Sequence, residues 1–148
     1  IGSCGALSKD LEIGDVVLIE RAIRDEGVSY HYQKPSKYSF PKFNLNKNLE
    51  KFLKAHEIKY RRGTSWTCDS PFRETKKKAV QFQKEGVLCC EMEAASLFSV
   101  ANYRGVSLSL LAFVSDKIAN LKWEYERKDL REIKEKLVEI SLRALTRS

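Results

Sequence analysis

The stretch that decides the fold runs from Gly86 to Asp116, GVLCCEMEAASLFSVANYRGVSLSLLAFVSD. Val87 to Cys90 is a short apolar run that reads as a buried strand. Glu93 to Tyr103 then sets Ala94, Leu97, Phe98 and Ala101 on one side of a helix, which Gly105 closes. Leu108 to Val114 (LSLLAFV) is apolar with little alternation, the pattern of a strand covered on both faces. Strand, helix and strand in that order predict an α/β layer fold.

The flanks extend the same alternation. Leu130, Ile133, Leu137, Ile140 and Ala144 recur at helical spacing, with Asp129 as the cap and Glu132 three residues on. Upstream, Asp15 to Arg21 (DVVLIER) is a β-branched strand, and Pro35 and Pro41 bracket a loop. A helix is predicted from Asn46 to near His56, with Leu49, Phe52 and Leu53 on its apolar face. Lys59 to Thr67 reads as a strand broken by Asp69-Ser70-Pro71, and Glu74 to Lys84 as a helix stopped by Gly86. Residues 1–148 therefore form a single domain fragment, α/β, with a mixed central sheet flanked by helices. The chain opens on Ile1, and its one methionine is Met92. The expectation is the carboxy-terminal part of a longer protein, its amino-terminal part missing.

Composition narrows the function classes. At 148 residues, 43% hydrophobic and 32% charged, the chain buries a core without staples and is not a disordered tail. No apolar run approaches the roughly 20 residues of a membrane span, and no signal-peptide layout opens the chain, so a cytoplasmic protein without membrane partners is expected. Cys4, Cys68, Cys89 and Cys90 lack the spacing of zinc ligands, and no metal site is expected. The net charge of +7 is concentrated between Lys34 and Arg62, where only Glu50 and Glu57 oppose nine basic residues. Tyr30, Tyr32, Tyr38, Phe40 and Phe43 accompany that stretch and invite a nucleic-acid reading. No recognised binding motif goes with it, so a solvated lysine-rich face is preferred.

Three polar clusters carry candidate chemistry. Gly2-Ser3-Cys4-Gly5-Ala6 offers a hydroxyl and close backbone approach to an anion, or else is a turn between elements. Glu91-Met92-Glu93 sets two carboxylates where a strand turns into a helix; they favour the helix dipole or accept hydrogen bonds from vicinal hydroxyls. Ser115-Asp116 follows LSLLAFV directly, as a helix cap or as a general acid kept protonated by the apolar strand behind it. Lys117 favours the ionised form if it points inward.

GSCGAL, TCDSPFRET, GVLCCEMEAASLF and FVSDKI, in this order and spacing, resemble the nucleoside phosphorylase family of purine nucleoside and uridine phosphorylases. The resemblance runs from Ile1 to about Lys117, and EMEAA is its most specific part. It implies phosphate binding at Ser3, with Cys4 and Gly5 lining the base pocket. Phe72 resembles the aromatic packed on base or sugar, with Arg73 beside it, and Glu91, Met92 and Glu93 the ribose-binding segment. Asp116 falls where purine-specific members keep the acid that protonates the leaving base, and Arg127 resembles an arginine that assists it. The implied reaction is phosphorolysis of a nucleoside, purine favoured, to free base and ribose 1-phosphate, with inorganic phosphate as co-substrate and no metal or organic cofactor. The family's arginines for phosphate and a histidine from a neighbouring subunit would lie upstream of Ile1, which leaves this chain doubtful as an enzyme alone. The resemblance also implies a homo-oligomer, dimer-based and up to a hexamer. A uridine phosphorylase, a water-using nucleosidase of the same fold and an inactive binding fragment are the alternatives.

Overall fold

The computed structural model describes residues 1–125 and 128–146. Among the described residues there are six strands and four α-helices, alternating from α1 onward: β1 (Gly2–Ala6), β2 (Val16–Asp25), β3 (Tyr38–Ser39), α1 (Asn46–Ala55), β4 (Tyr60–Cys68), α2 (Lys76–Lys84), β5 (Cys89–Glu91), α3 (Ala94–Arg104), β6 (Leu110–Lys117) and α4 (Arg131–Thr146). The sheet is mixed and runs β3-β2-β4-β5-β1-β6. β2–β4, β4–β5 and β1–β6 are parallel pairs, whereas β1–β5 and β2–β3 are antiparallel. The expected mixed sheet has one further property: it closes. Val16–Ile19 of β2 pairs with β4 on one side and antiparallel with Leu110–Phe113 of β6 on the other, so five strands form a ring.

A ring this narrow has room only for small side chains inside. Cys4, Ala6, Ala22, Cys89 and Ala112 supply them, with Val17, Ile19 and Val114 filling the rest and Phe98 of α3 packed on the same cluster. The outer faces are also covered. Val16, Leu18, Leu111 and Phe113 meet Leu49 and Leu53 of α1 and Leu137, Ile140 and Ala144 of α4. Trp66, Cys68, Cys90 and Ile23 meet Ala79 and Phe82 of α2. Burial on both faces is why LSLLAFV shows no alternation.

Several boundaries differ from the sequence reading. Gly2–Ala6 is a strand between β5 and β6 rather than a turn, because its backbone bonds are taken up on both sides. β6 continues through Ser115 and Asp116, so neither caps a helix. The loop bracketed by Pro35 and Pro41 contains β3, and a 3-10 turn at Val28–His31 precedes it. A second 3-10 turn, Pro71–Arg73, precedes α2, whose cap is Thr75. α3 ends as expected on Gly105 at φ +68°, a left-handed position that glycine adopts without strain. Asp129 accepts from Arg131 N–H at 3.0 Å at the start of α4, but Glu132 bonds Lys136 instead of closing a capping box. The basic stretch is largely solvated: Lys47, Lys51 and Lys54 of α1 are exposed, and Arg62 pairs with Glu20 and Glu50. No described helix is long and apolar enough to cross a membrane.

Arg24 is the feature that sequence conceals. It is buried on β2, its guanidinium stacked 4.1 Å from the Tyr30 ring. Its N–H groups donate to the Ser29 and Ser36 hydroxyls and to the carbonyls of Gln33, Lys34 and Ser36. One side chain thus fastens the whole segment between Ser29 and Ser36. Arg24→Ala is expected to lower unfolding stability by about 3 kcal/mol, the scale of several lost bonds to a charged group, measured by urea denaturation. Limited proteolysis should then cut first within residues 28–37.

Candidate functional site

Parallel strands β2, β4 and β5 end at one mouth of the ring, where α/β sheets place their ligands. Ser3 and Gly2 of β1, Ile19 of β2, Glu91 and Glu93 at the β5–α3 junction, and Leu110–Ala112 of β6 line a cleft there of about 350 Å³. The structure thus gathers Ser3, Glu91 and Glu93 from distant parts of the chain. Among the described residues lining the cleft, none is a lysine or arginine.

The two glutamates differ in state. Glu91 is buried, and both carboxylate oxygens are engaged by the protein. One accepts from the Ser65 hydroxyl at 2.9 Å and the Thr67 hydroxyl at 2.6 Å. The other accepts from the backbone N–H of Glu93 at 2.8 Å and of Ala94 at 2.6 Å. Thr67 Oγ1 in turn accepts from Ala95 N–H. Glu91 therefore ties β4, β5 and the first turn of α3 together, capping the helix from the preceding strand. Burial pushes its carboxyl pKa up despite the four bonds that oppose the shift. Glu93 is exposed, and among the described residues its one donor is Met92 N–H at 3.3 Å. Its carboxylate is the one free to meet hydroxyls, while Met92 lies half exposed beside it.

Asp116 owes its position to a break in register. β1 pairs Cys4 with Val114 but Gly5 with Asp116, leaving Ser115 as an extra residue. Strict alternation would send Asp116 to the face of Val114 and Ala112, inside the ring. The bulge turns it to the outer face instead. A Cβ at Gly5 would lie 2.9 Å from Asp116 Oδ2 and would push the carboxylate away from β1. Asp116 accepts from Ser115 Oγ at 2.7 Å and from the Trp123 indole N–H at 3.0 Å. The apolar backing expected behind it is replaced by these two donors. Lys117 turns away and grips Glu12 at 2.7 Å.

A second cleft of about 410 Å³ lies beside Asp116, lined by Phe72, Glu74, Ile118, Leu121 and Trp123 among others. Phe72 is 93% exposed on the 3-10 turn, its ring open to solvent. Glu74 and Trp123 escaped the sequence reading; an acidic residue two positions past Phe72, in the same loop, was the available signal for the first. Glu74 is partly buried and accepts from the Cys90 thiol at 3.3 Å. Burial, then the adjacent Asp116 charge, push its carboxyl pKa up, and burial with Glu74's own charge holds Cys90 as a thiol. Two expected residues are placed elsewhere. Cys4 is buried in the ring, its thiol 3.7 Å from the Phe113 carbonyl, because alternation along β1 turns it inward. Arg73 is exposed and lines neither cleft. Arg127 lies outside the described residues. All four cysteines are free and buried, and no group of three or more potential metal ligands occurs among the described residues.

Comparison with known proteins agrees with this geometry. The family model described as the phosphorylase superfamily matches residues 1–147. A purine nucleoside phosphorylase DeoD-type of Proteus mirabilis is 33% identical over 119 residues, covering 80% of this chain and 50% of that protein. A guanosine phosphorylase of Halorubrum lacusprofundi is 26% identical over 117 residues, covering 79% and 48%. The solved structure of a P knowlesi homolog of P falciparum PNP superposes with a TM-score of 0.80 at 25% identity, over 97% of this chain and 58% of the other. The chain spans about half the length of the curated relatives it matches.

The two states of Glu91 carry a test. A raised carboxyl pKa means the folded state holds the proton more tightly than the unfolded one, so the contribution of Glu91 to stability declines as pH rises above the ordinary glutamate range. Glu91→Gln removes this titration and turns an amide N–H₂ toward protein donors, costing about 2 kcal/mol at neutral pH. The deficit of the variant against wild type should widen as pH falls from neutrality toward 4, measured by urea denaturation across that range.

Proposed function

We propose that this chain, which belongs to the phosphorylase superfamily, supplies the nucleoside-facing part of a nucleoside phosphorylase site, with purine nucleosides preferred. The observation that carries the reading is the bulge at Ser115: it turns Asp116 to the outer face, where it accepts from Trp123 of the cleft that Phe72 also lines, two residues along β1 from the cleft of Ser3 and Glu93. Sugar and base sites are thus adjacent, and the relatives' printed names, purine nucleoside phosphorylase and guanosine phosphorylase, support the same substrate class.

In this reading Glu93 accepts hydrogen bonds from the ribose 2′- and 3′-hydroxyls, held in place by Glu91 through its own backbone N–H. Ser3 donates to phosphate beneath C1′, and Phe72 stacks on the base. As the C1′–N bond breaks toward an oxocarbenium-like state, phosphate meets C1′ and charge develops on the departing purine. Asp116, once it carries a proton, donates it to N7; Trp123 and Ser115 fix the carboxyl's orientation. No metal or organic cofactor takes part. Because no lysine or arginine lines the cleft among the described residues, the phosphate dianion needs a cation from outside them, and a homo-oligomer is the source we favour. Ile1 and Leu97, exposed apolar residues on the cleft, support such an assembly.

Purified chain should bind ribonucleosides, and ribose 1-phosphate followed by phosphorus NMR should form slowly or not at all without the missing cations. Robust phosphate-dependent turnover would show instead that the cleft needs no further charge. Release of free ribose without phosphate would favour the water-using nucleosidase. Glu93→Ala should weaken ribonucleoside binding by about tenfold or more, and that of 2′-deoxyribonucleosides less, measured by calorimetry. Equal losses would remove Glu93 from the sugar site.

A further inference from the structure

The basic stretch between Lys34 and Arg62 has no part in the proposed reaction, and the fold gives it a shape that its sequence does not show. Residues 33–42 lie along α3, fastened by side chains one turn apart on the helix. The Ser99 hydroxyl bonds the Ser39 hydroxyl and the Gln33 amide oxygen, while Asn102 accepts from Lys42 N–H and donates to the Phe40 carbonyl. Beside this seam opens a cleft of about 450 Å³, walled by Tyr32, Phe40 and Tyr103 and rimmed by Lys34 and Lys42. All three rings are exposed, and Tyr32 and Tyr103 brace each other edge to face at 5.5 Å. Among the described residues no carboxylate lines the cleft, and neither lysine has an ion pair. The cations do not stop at its rim. Phe40 also borders a larger groove together with Lys47, and Lys47, Lys51 and Lys54 follow at helical spacing on the exposed face of α1, again without ion pairs among the described residues.

We propose that this face binds single-stranded nucleic acid, its bases stacked on Phe40 and the Tyr32–Tyr103 pair and its phosphates following the lysines from Lys34 and Lys42 toward α1. The sequence alone favours a solvated face, because no binding motif accompanies the charge. The fold adds exposed rings and unpaired cations gathered at one place. Two ammonium groups over a cleft without carboxylates favour an anion. Open rings on the same wall favour a ligand with flat faces, and a nucleotide unit combines the two. The amides of the floor are already engaged. Gln33 Nε2 donates to the Ser36 hydroxyl and the Tyr38 carbonyl, its Oε1 accepts from Ser39 and Ser99, and Asn102 is held at both ends. Neither amide is left to read a base edge, so binding through stacking and charge tolerates any sequence. A duplex keeps its bases in its own stack and meets the lysines only. The row of cations continuing along α1 selects a strand over one nucleotide, since each further phosphate meets further charge.

The test is equilibrium binding of fluorescein-labelled RNA and DNA single strands of about 15 nucleotides to the 148-residue chain, followed by anisotropy over a salt series. Either strand, bound more tightly as salt falls, supports the inference. A duplex of the same length, poly-glutamate and a mononucleotide should each bind about tenfold more weakly or worse. F40A with Y103A, checked for fold by circular dichroism, should cost about tenfold and leave the salt slope unchanged, because stacking releases no counterion. K34E with K42E should weaken binding and lower the slope. K9E with K77E makes the same change in net charge at exposed lysines away from the cleft, and should cost much less. Equal losses for the two lysine pairs, equal affinity for strand and duplex or for strand and poly-glutamate, or no loss on removing the rings overturns the inference. So does a folded chain that binds no strand at low salt, and neither result touches the nucleoside site.

Discussion

β2 holds two partners with the same four residues. Val16–Ile19 bonds to β4 on one edge and to β6 on the other, and this double pairing closes the ring. Much else follows from closure. The interior becomes too narrow for large side chains, which accounts for the cysteines and alanines facing it. Each strand must then bury its outward face as well, and α1, α2 and α4 are the covers. Closure also sets β1 between β5 and β6, so that Ser3, Glu93 and Asp116, separated by more than a hundred residues in sequence, share one region of the surface.

Within that frame the chemistry depends on departures from regularity. The extra residue at Ser115 reverses the face on which Asp116 emerges, and Gly5 leaves the space it needs. Glu91 carries a cost of burial that its four donors only partly offset, and in exchange holds the first turn of α3 where Glu93 can reach a ligand. Local rules are broken at the places where the proposed site needs side chains aimed. The same pattern recurs on the far wall, where a buried thiol, itself unreactive, steadies Glu74.

How much of this could be read beforehand depends on range. The α4 helix announces itself through Leu130, Ile133, Leu137, Ile140 and Ala144, because apolar spacing is local information. β5 and β6 were legible as apolar runs for the same reason, within two or three residues, and β4 by the Asp69-Ser70-Pro71 break that ends it. Gly2–Ala6 was not, since small residues carry weak strand signal and its status as a strand comes from neighbours far along the chain. Ring closure, the Ser115 bulge and the burial of Arg24 are all set by pairing partners that sequence periodicity does not encode. At the candidate site, Ser3, Glu93 and Asp116 were legible through motif resemblance. The distinction between Glu91 and Glu93 was not, because it rests on which carboxylate Ser65 and Thr67 face. Cys4 was misplaced for a simple reason: in a strand, its neighbours Ser3 and Gly5 face one way and Cys4 the other.

The ring has a consequence for how another chain could pair with this one. Among the described residues, each of the five ring strands is paired on both sides over part of its length, and β3, two residues long, ends the sheet. A sheet without a long free edge offers no template on which a second chain can add a strand. Contact with another chain is thereby left largely to side chains on helices and loops, where shape and charge decide the partner. The same closure that arranges the site thereby disfavours open-ended strand stacking between chains.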